Sequence, residues 1–219
     1  MVKIGVILSG CGVYDGAEIH ESVITLLTLD RLGAEAVCLA PDTDQMHVIN
    51  HLTGQPVKGA KRNVLEESAR IARGKIKDIA DARAADVDGV IVPGGFGAAK
   101  NLCDFATAGD ACKAHPEVAR FLKEVHAAGK PIGAICIAPA LLARVFGQEK
   151  PEVTIGTDAG TAGALEKMGA CHKAHAVNEI HVDKNRKMVT TPAYMLAESI
   201  SQAASGIEKL VEKVIQMAG

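Results

Sequence analysis

Short apolar runs that each break off at glycine or proline, with helix-like stretches between them, constrain this chain most. Lys3 to Leu8 (KIGVIL) stops at Ser9-Gly10, and Ala34 to Leu39 stops at Pro41-Asp42. Asp86 to Val92 (DVDGVIV) stops at Pro93-Gly94-Gly95, and Pro131 to Cys136 gives way to a helical pattern over Ile137 to Phe146. Runs this short and this apolar read as strands buried on both faces of a parallel sheet. Between them, Ile19, Val23, Leu26 and Leu27 recur at helical spacing, with Gly33 past the end. Asp15 and Glu18 resemble a capping box for that helix. Asn63 caps a helix through Arg73, and Pro116 opens one that runs to Ala128. Val153 to Thr157 reads as a strand, Thr161 to Met168 as a short helix, and Tyr194 to Met217 as the last helix. Ile180 to Val182 and Lys187 to Thr190 flank a hairpin turn. Residues 42–62 depart from the alternation. The pattern predicts an α/β fold, a mostly parallel sheet with helices on both faces. With 219 residues and no repeat or linker, one domain over 1–219 is expected.

Composition removes several function classes. Lys plus Arg is 24 and Asp plus Glu is 26, a net charge of −2, which argues against nucleic acid or an anionic membrane as partner. No apolar run approaches the roughly 20 residues of a membrane span. No signal-peptide pattern precedes the first strand, so a cytoplasmic protein is expected. Six cysteines, at 11, 38, 103, 112, 136 and 171, lack disulfide-framework or zinc spacing and read as reduced thiols. His172, His175 and His181 form no zinc pattern and read as surface residues. Neither metal nor cofactor is expected.

Chemistry-bearing residues gather at strand ends. Cys136 sits where a strand turns sharply into a helix, which pushes a side chain out at the edge of the sheet. A helix N-terminus there would lower its pKa. The alternative is a packed core thiol. Glycines in Pro93-Gly94-Gly95-Phe96-Gly97 could aim backbone N–H groups at a substrate oxygen, or form a plain loop. Glu18 and Glu21 lie three apart at the start of a helix. Glu18 fits a cap, whereas Glu21 is placed to reach Cys136 or else to face solvent. His20, Cys11 and Tyr194 are further candidates for the pocket.

Three motifs occur in a telling order: G-A-E-x-x-E at Gly16 to Glu21, P-G-G-F-G-A-A-K-N-L at Pro93 to Leu102, and A-I-C-I-A at Ala134 to Ala138. Together they resemble the ThiJ/PfpI superfamily, with its class I glutamine-amidotransferase-like fold. Val48 to Gly54 (VINHLTG) and Val189 to Ala197 (VTTPAYMLA) resemble more narrowly its ElbB-like, enhancing-lycopene-biosynthesis branch. The resemblance implies a flavodoxin-like three-layer sandwich, a nucleophilic Cys136 and Glu21 as its partner. Gly94, Gly95, Ile137 and Glu18 would bind, the Gly95 and Ile137 amides as oxyanion donors. It also implies a homodimer, an indirect role in isoprenoid metabolism and weak glyoxalase activity on a small aldehyde, without glutathione or metal. A redox or stress sensor using the same thiol is the alternative. His115-Pro116-Glu117 lies upstream of Cys136 and Ile137 follows it. Neither the amidotransferase triad nor the protease Cys-His pair is therefore expected.

Overall fold

The computed structural model describes residues 1–219. In chain order the first half contains β1 (Lys3–Ile7), α1 (Ile19–Arg31), β2 (Glu35–Ala40), β3 (Ile49–Asn50), β4 (Gln55–Pro56), α2 (Val64–Ile71), β5 (Ile76–Asp78) and β6 (Gly89–Val92). Next come α3 (Phe96–Lys100), α4 (Phe105–Ala108), α5 (Pro116–Ala127), β7 (Ile132–Ile135), α6 (Pro139–Phe146) and β8 (Glu152–Val153). The chain ends with α7 (Ala159–Lys167), β9 (Cys171–His172), β10 (His181–Asp183), β11 (Met188–Thr191) and α8 (Ile200–Ala218).

Seven strands form the main sheet in the order β10-β11-β7-β6-β1-β2-β5. All pair in parallel except β10, which returns antiparallel to β11 through the expected hairpin. Order reverses between β1 and β6, so the loops leaving their carboxyl ends part there and open a crevice.

Alternation along each strand feeds two cores. Val90, Val92, Ile132 and Ala134 meet Phe121, Leu122 and Leu142 of α5 and α6 on one face. Ile4, Val6, Ile91 and Ile135 meet Ile207, Leu210 and Val214 of α8 on the other, with Ile24 and Leu29 of α1. This is the flavodoxin-like sandwich. Phe121 is fully buried in the first core. Truncating it to Ala is expected to cost about 3–5 kcal/mol, through lost burial and the cavity left behind. A urea melt showing a change under about 1 kcal/mol would mean that this face is not close-packed.

Several local expectations change. The cap of α1 is Glu18, whose carboxylate accepts from the Glu21 N–H at 2.7 Å; Asp15 instead accepts from the Ile49 N–H at 2.6 Å. That bond pins residues 42–62 to the first loop. Helix α6 begins at Pro139 rather than Ile137, because 136–138 form the turn. The expected strand at 153–157 shrinks to Glu152–Val153. Helix α8 starts after its Ser199 cap, and Tyr194 lies in a separate single turn over Ala193–Met195. Strand β5 had no signal. His175 and His181 are not surface residues but half-buried neighbours. No helix is long and apolar enough to cross a membrane.

Candidate active site

Cys136 follows directly on β7, in the left-handed region with φ 60°. A non-glycine residue there is strained, and the surroundings hold it in place. Its N–H donates to the Thr191 carbonyl at the end of β11, at 3.0 Å. The elbow expected from the sequence is thus present. Its glycine neighbour is Gly94, across the sheet at the end of β6. A Cβ on Gly94 would stand 2.5 Å from the Cys136 Cβ and 2.7 Å from Glu21 Oε2. Gly94→Ala is therefore expected to drive Glu21 and Cys136 apart. Cys136 alkylation and any turnover should both change by at least about tenfold, the equivalent of a unit of pKa. Unchanged rates would mean that the two side chains do not need this spacing.

Glu21 is completely buried on α1. Its Oε2 accepts from the Gly94 N–H at 2.8 Å and its Oε1 from the Tyr194 N–H at 3.3 Å. Its Oε2 and the Cys136 Cβ both crowd the same side of Gly94, which sets the carboxyl beside the thiol. Burial, then the field of Glu18, push the Glu21 pKa up to about 8 against the pull of these donors. It therefore carries a proton at neutral pH. Burial, then the Glu21 charge, likewise push the Cys136 thiol well above its ordinary range, while the Gly95 and Ile137 amides pull it down. This corrects the expected lowering by a helix N-terminus. Helix α6 starts three residues on, with a proline that has no N–H to offer.

The sequence candidates divide accordingly. Cys136, Glu21, Glu18, Gly94, Gly95 and Ile137 come together. The Gly94 amide is committed to Glu21, and its carbonyl accepts from the Glu18 N–H at 3.0 Å. The Gly95 and Ile137 amides face the sulfur. A cavity of about 440 Å³ lies over Cys136, with Glu18, Gly95, Ile137 and Tyr194 in its wall. His20 does not line it but touches a residue that does, its Nδ1 2.7 Å from the Tyr194 hydroxyl. Cys11 does not line this cavity; its thiol lies in the fields of Glu67 and Arg70. Sequence reasoning missed Val13, Phe96, Phe105, Thr161 and Met195 in the wall. Phe96 lies within the glycine motif, but Phe105 and Thr161 carry no local signal.

Two larger hollows, of about 490 and 730 Å³, lie elsewhere. One is beside α5 and α6, and the other is at the amino ends of β1, β2 and β5. Neither contains Cys136, and sandwiches of this kind bind ligands at the opposite, carboxyl ends of the strands. The 440 Å³ cavity is accordingly the candidate site. Mostly hydrophobic side chains line it, so it is a poorly solvated site in which charge is costly.

A doubly wound sandwich with a cysteine elbow and a buried carboxyl partner defines a class of protein. The chain belongs to the DJ-1/PfpI family, whose pattern matches residues 11–195. It is 52% identical to the human glutamine amidotransferase-like class 1 domain-containing protein 3, mitochondrial, over 99% of this chain and 84% of that protein. It is 36% identical to the zebrafish ES1 protein, mitochondrial, over 98% and 86%. A crystal structure from Ehrlichia chaffeensis, described as an isoprenoid biosynthesis protein with an amidotransferase-like domain, matches with TM-score 0.93 and 35% identity, covering all of both chains. Glyoxalase III of Candida albicans shares the fold, with TM-score 0.64 and 14% identity over 99% and 97%. The expected cytoplasmic location does not stand, because the human and zebrafish relatives are named as mitochondrial proteins.

Proposed function

We propose that this chain is a cofactor-independent, glyoxalase-type enzyme acting on glyoxal or a similar small 2-oxoaldehyde. The observation that carries the reading is the pair itself. The Cys136 thiol lines an apolar cavity, and the fully buried Glu21 carboxyl stands directly behind it across Gly94, with the Gly95 and Ile137 amides beside the sulfur.

The chemistry follows from that arrangement. Cys136 adds through sulfur to one aldehyde carbon, and its proton ends on the new hydroxyl, giving a hemithioacetal. The Gly95 and Ile137 amides stabilise the oxyanion as it develops. Glu21, as carboxylate, takes the proton from that carbon, leaving an enediol, and returns it to the neighbouring carbon. The product is a glycolyl thioester on Cys136. Water cleaves it to glycolate and the free thiol. The sum is glyoxal plus water to glycolate, with no net oxidation, so no redox cofactor is required.

Reaction needs one proton shared by the pair, not two. Activity is therefore expected to rise with pH through about 8, where Glu21 loses its proton. The sensor alternative fits less well. Sensor cysteines are accessible and low in pKa, whereas Cys136 is 8% exposed with a raised pKa.

The direct test incubates the purified chain with glyoxal in D2O, without glutathione or added metal. Catalytic formation of glycolate bearing carbon-bound deuterium supports proton transfer through an exchangeable carboxyl. Absence of turnover over the pH range 6 to 10, about two units on either side of the expected midpoint near 8, overturns the reading.

A further inference from the structure

Two strands over from Cys136, the β10 edge of the sheet carries an arrangement that the proposed reaction does not use. His175 lies in the loop before β10, and His181 opens that strand. Nε2 of His175 and Nδ1 of His181 face each other at 3.1 Å. The opposite nitrogen of each ring meets a carboxylate. His175 Nδ1 is 3.3 Å from Glu179 Oε2, and His181 Nε2 is 3.1 Å from Glu152 Oε2.

Proton bookkeeping then leaves a gap. An ionised carboxylate only accepts, so each outer nitrogen must carry the ring's hydrogen. In two neutral imidazoles both inner nitrogens are then lone pairs, aimed at each other. Such a contact is repulsive unless a cation sits between them. A carboxylate on the far nitrogen is also what orients histidines that bind metal. Two nitrogens on one tetrahedral ion at 2.0–2.1 Å stand roughly 3.3 Å apart, close to the observed spacing. The ring centroids are 5.2 Å apart and the planes inclined by 51°.

We propose that His175 Nε2 and His181 Nδ1 form a two-nitrogen site for a divalent transition ion of the zinc class, oriented by Glu179 and Glu152. No group of three or more His, Cys, Asp or Glu side chains converges here, so water completes the shell and binding is modest. The ion ties the loop before β10 to the sheet edge. Glu179 is already anchored there, its carbonyl accepting from Thr191 Oγ1 at 2.9 Å.

The test is calorimetric titration of the tag-free, chelator-stripped full chain with Zn²⁺ at neutral pH. One ion per chain is expected, with a sub-millimolar Kd. His175→Gln and His181→Gln should each abolish it, and Glu152→Gln should weaken it by about 10–100-fold. Crystals of the unmodified protein soaked in Zn²⁺ make the test independent of variant folding. Anomalous density between the two nitrogens supports the site. Density only elsewhere, such as at Cys136, overturns it. So does a lack of saturable binding at millimolar Zn²⁺, in which case a shared proton fills the gap.

Discussion

Cys136→Ala is expected to abolish glycolate formation, and Glu21→Gln to slow it by about 10²–10⁴-fold while leaving the thiol reactive. The two variants separate nucleophile from proton carrier. Gln keeps the shape of a protonated carboxyl, and its carbonyl can still accept from the Gly94 N–H that now holds Glu21 at 2.8 Å. What it cannot do is move a proton between adjacent carbons. Removing the Glu21 charge also relieves one of the causes that raise the Cys136 pKa, while burial continues to hold it up. Alkylation of Cys136 by iodoacetamide should therefore stay within about tenfold of wild type. Paired rates of turnover and alkylation decide the matter. Equal loss of both would reduce Glu21 to a packing or activating role. Undiminished turnover in Glu21→Gln would remove it from the mechanism.

The second large effect is on stability. Glu21 titrates at about 8 in the fold against an ordinary 4.5. A carboxyl with a raised pKa binds more protons folded than unfolded between those values. Its contribution is fully present below about 4.5 and is lost as pH rises through about 8. Glu21→Gln has nothing to titrate. The stability of this variant relative to wild type should therefore grow by on the order of 4 kcal/mol between pH 5 and pH 8.5. Titrating groups that do not feel Glu21 cancel in the comparison. Denaturant melts of both proteins at the two pH values measure it. A difference that stays constant would mean that Glu21 is ionised throughout, and the proton-bearing carboxyl would be lost from the account.

The strands that place the site were legible because burial on both faces leaves an unbroken apolar run, as in Gly89–Val92 and Ile132–Ile135. Glycine and cysteine at the ends of those runs then marked the carboxyl edge. Strand β5 was hidden because only Ile76 in Ile76–Asp78 is apolar, and a sheet edge asks for no more. Asp15 fits a helix cap by local spacing, but its partner is the Ile49 amide, 34 residues away. The direction of the thiol's pKa is hidden from the sequence for a similar reason. That direction depends on the depth of burial and on Glu21, both of which arise only when the start of α1 meets Gly94 beyond the end of β6. Spacing could bring Glu18 and Glu21 to one end of a helix. It could not show that the Tyr194 amide, from the other end of the chain, would close over Glu21.

Covalent capture on Cys136 tests the central claim most directly. Wild-type protein mixed with glyoxal, quenched within a turnover and digested, is examined by mass spectrometry. The peptide containing Cys136 should gain the mass of one glyoxal, and hydroxylamine should release that group as a glycolyl hydroxamate, the signature of a thioester. Glu21→Gln should show the adduct without hydroxamate release, because the hemithioacetal cannot proceed. Glycolate formed by wild type with Cys136 unmodified, or with the adduct only on another residue, would contradict the account.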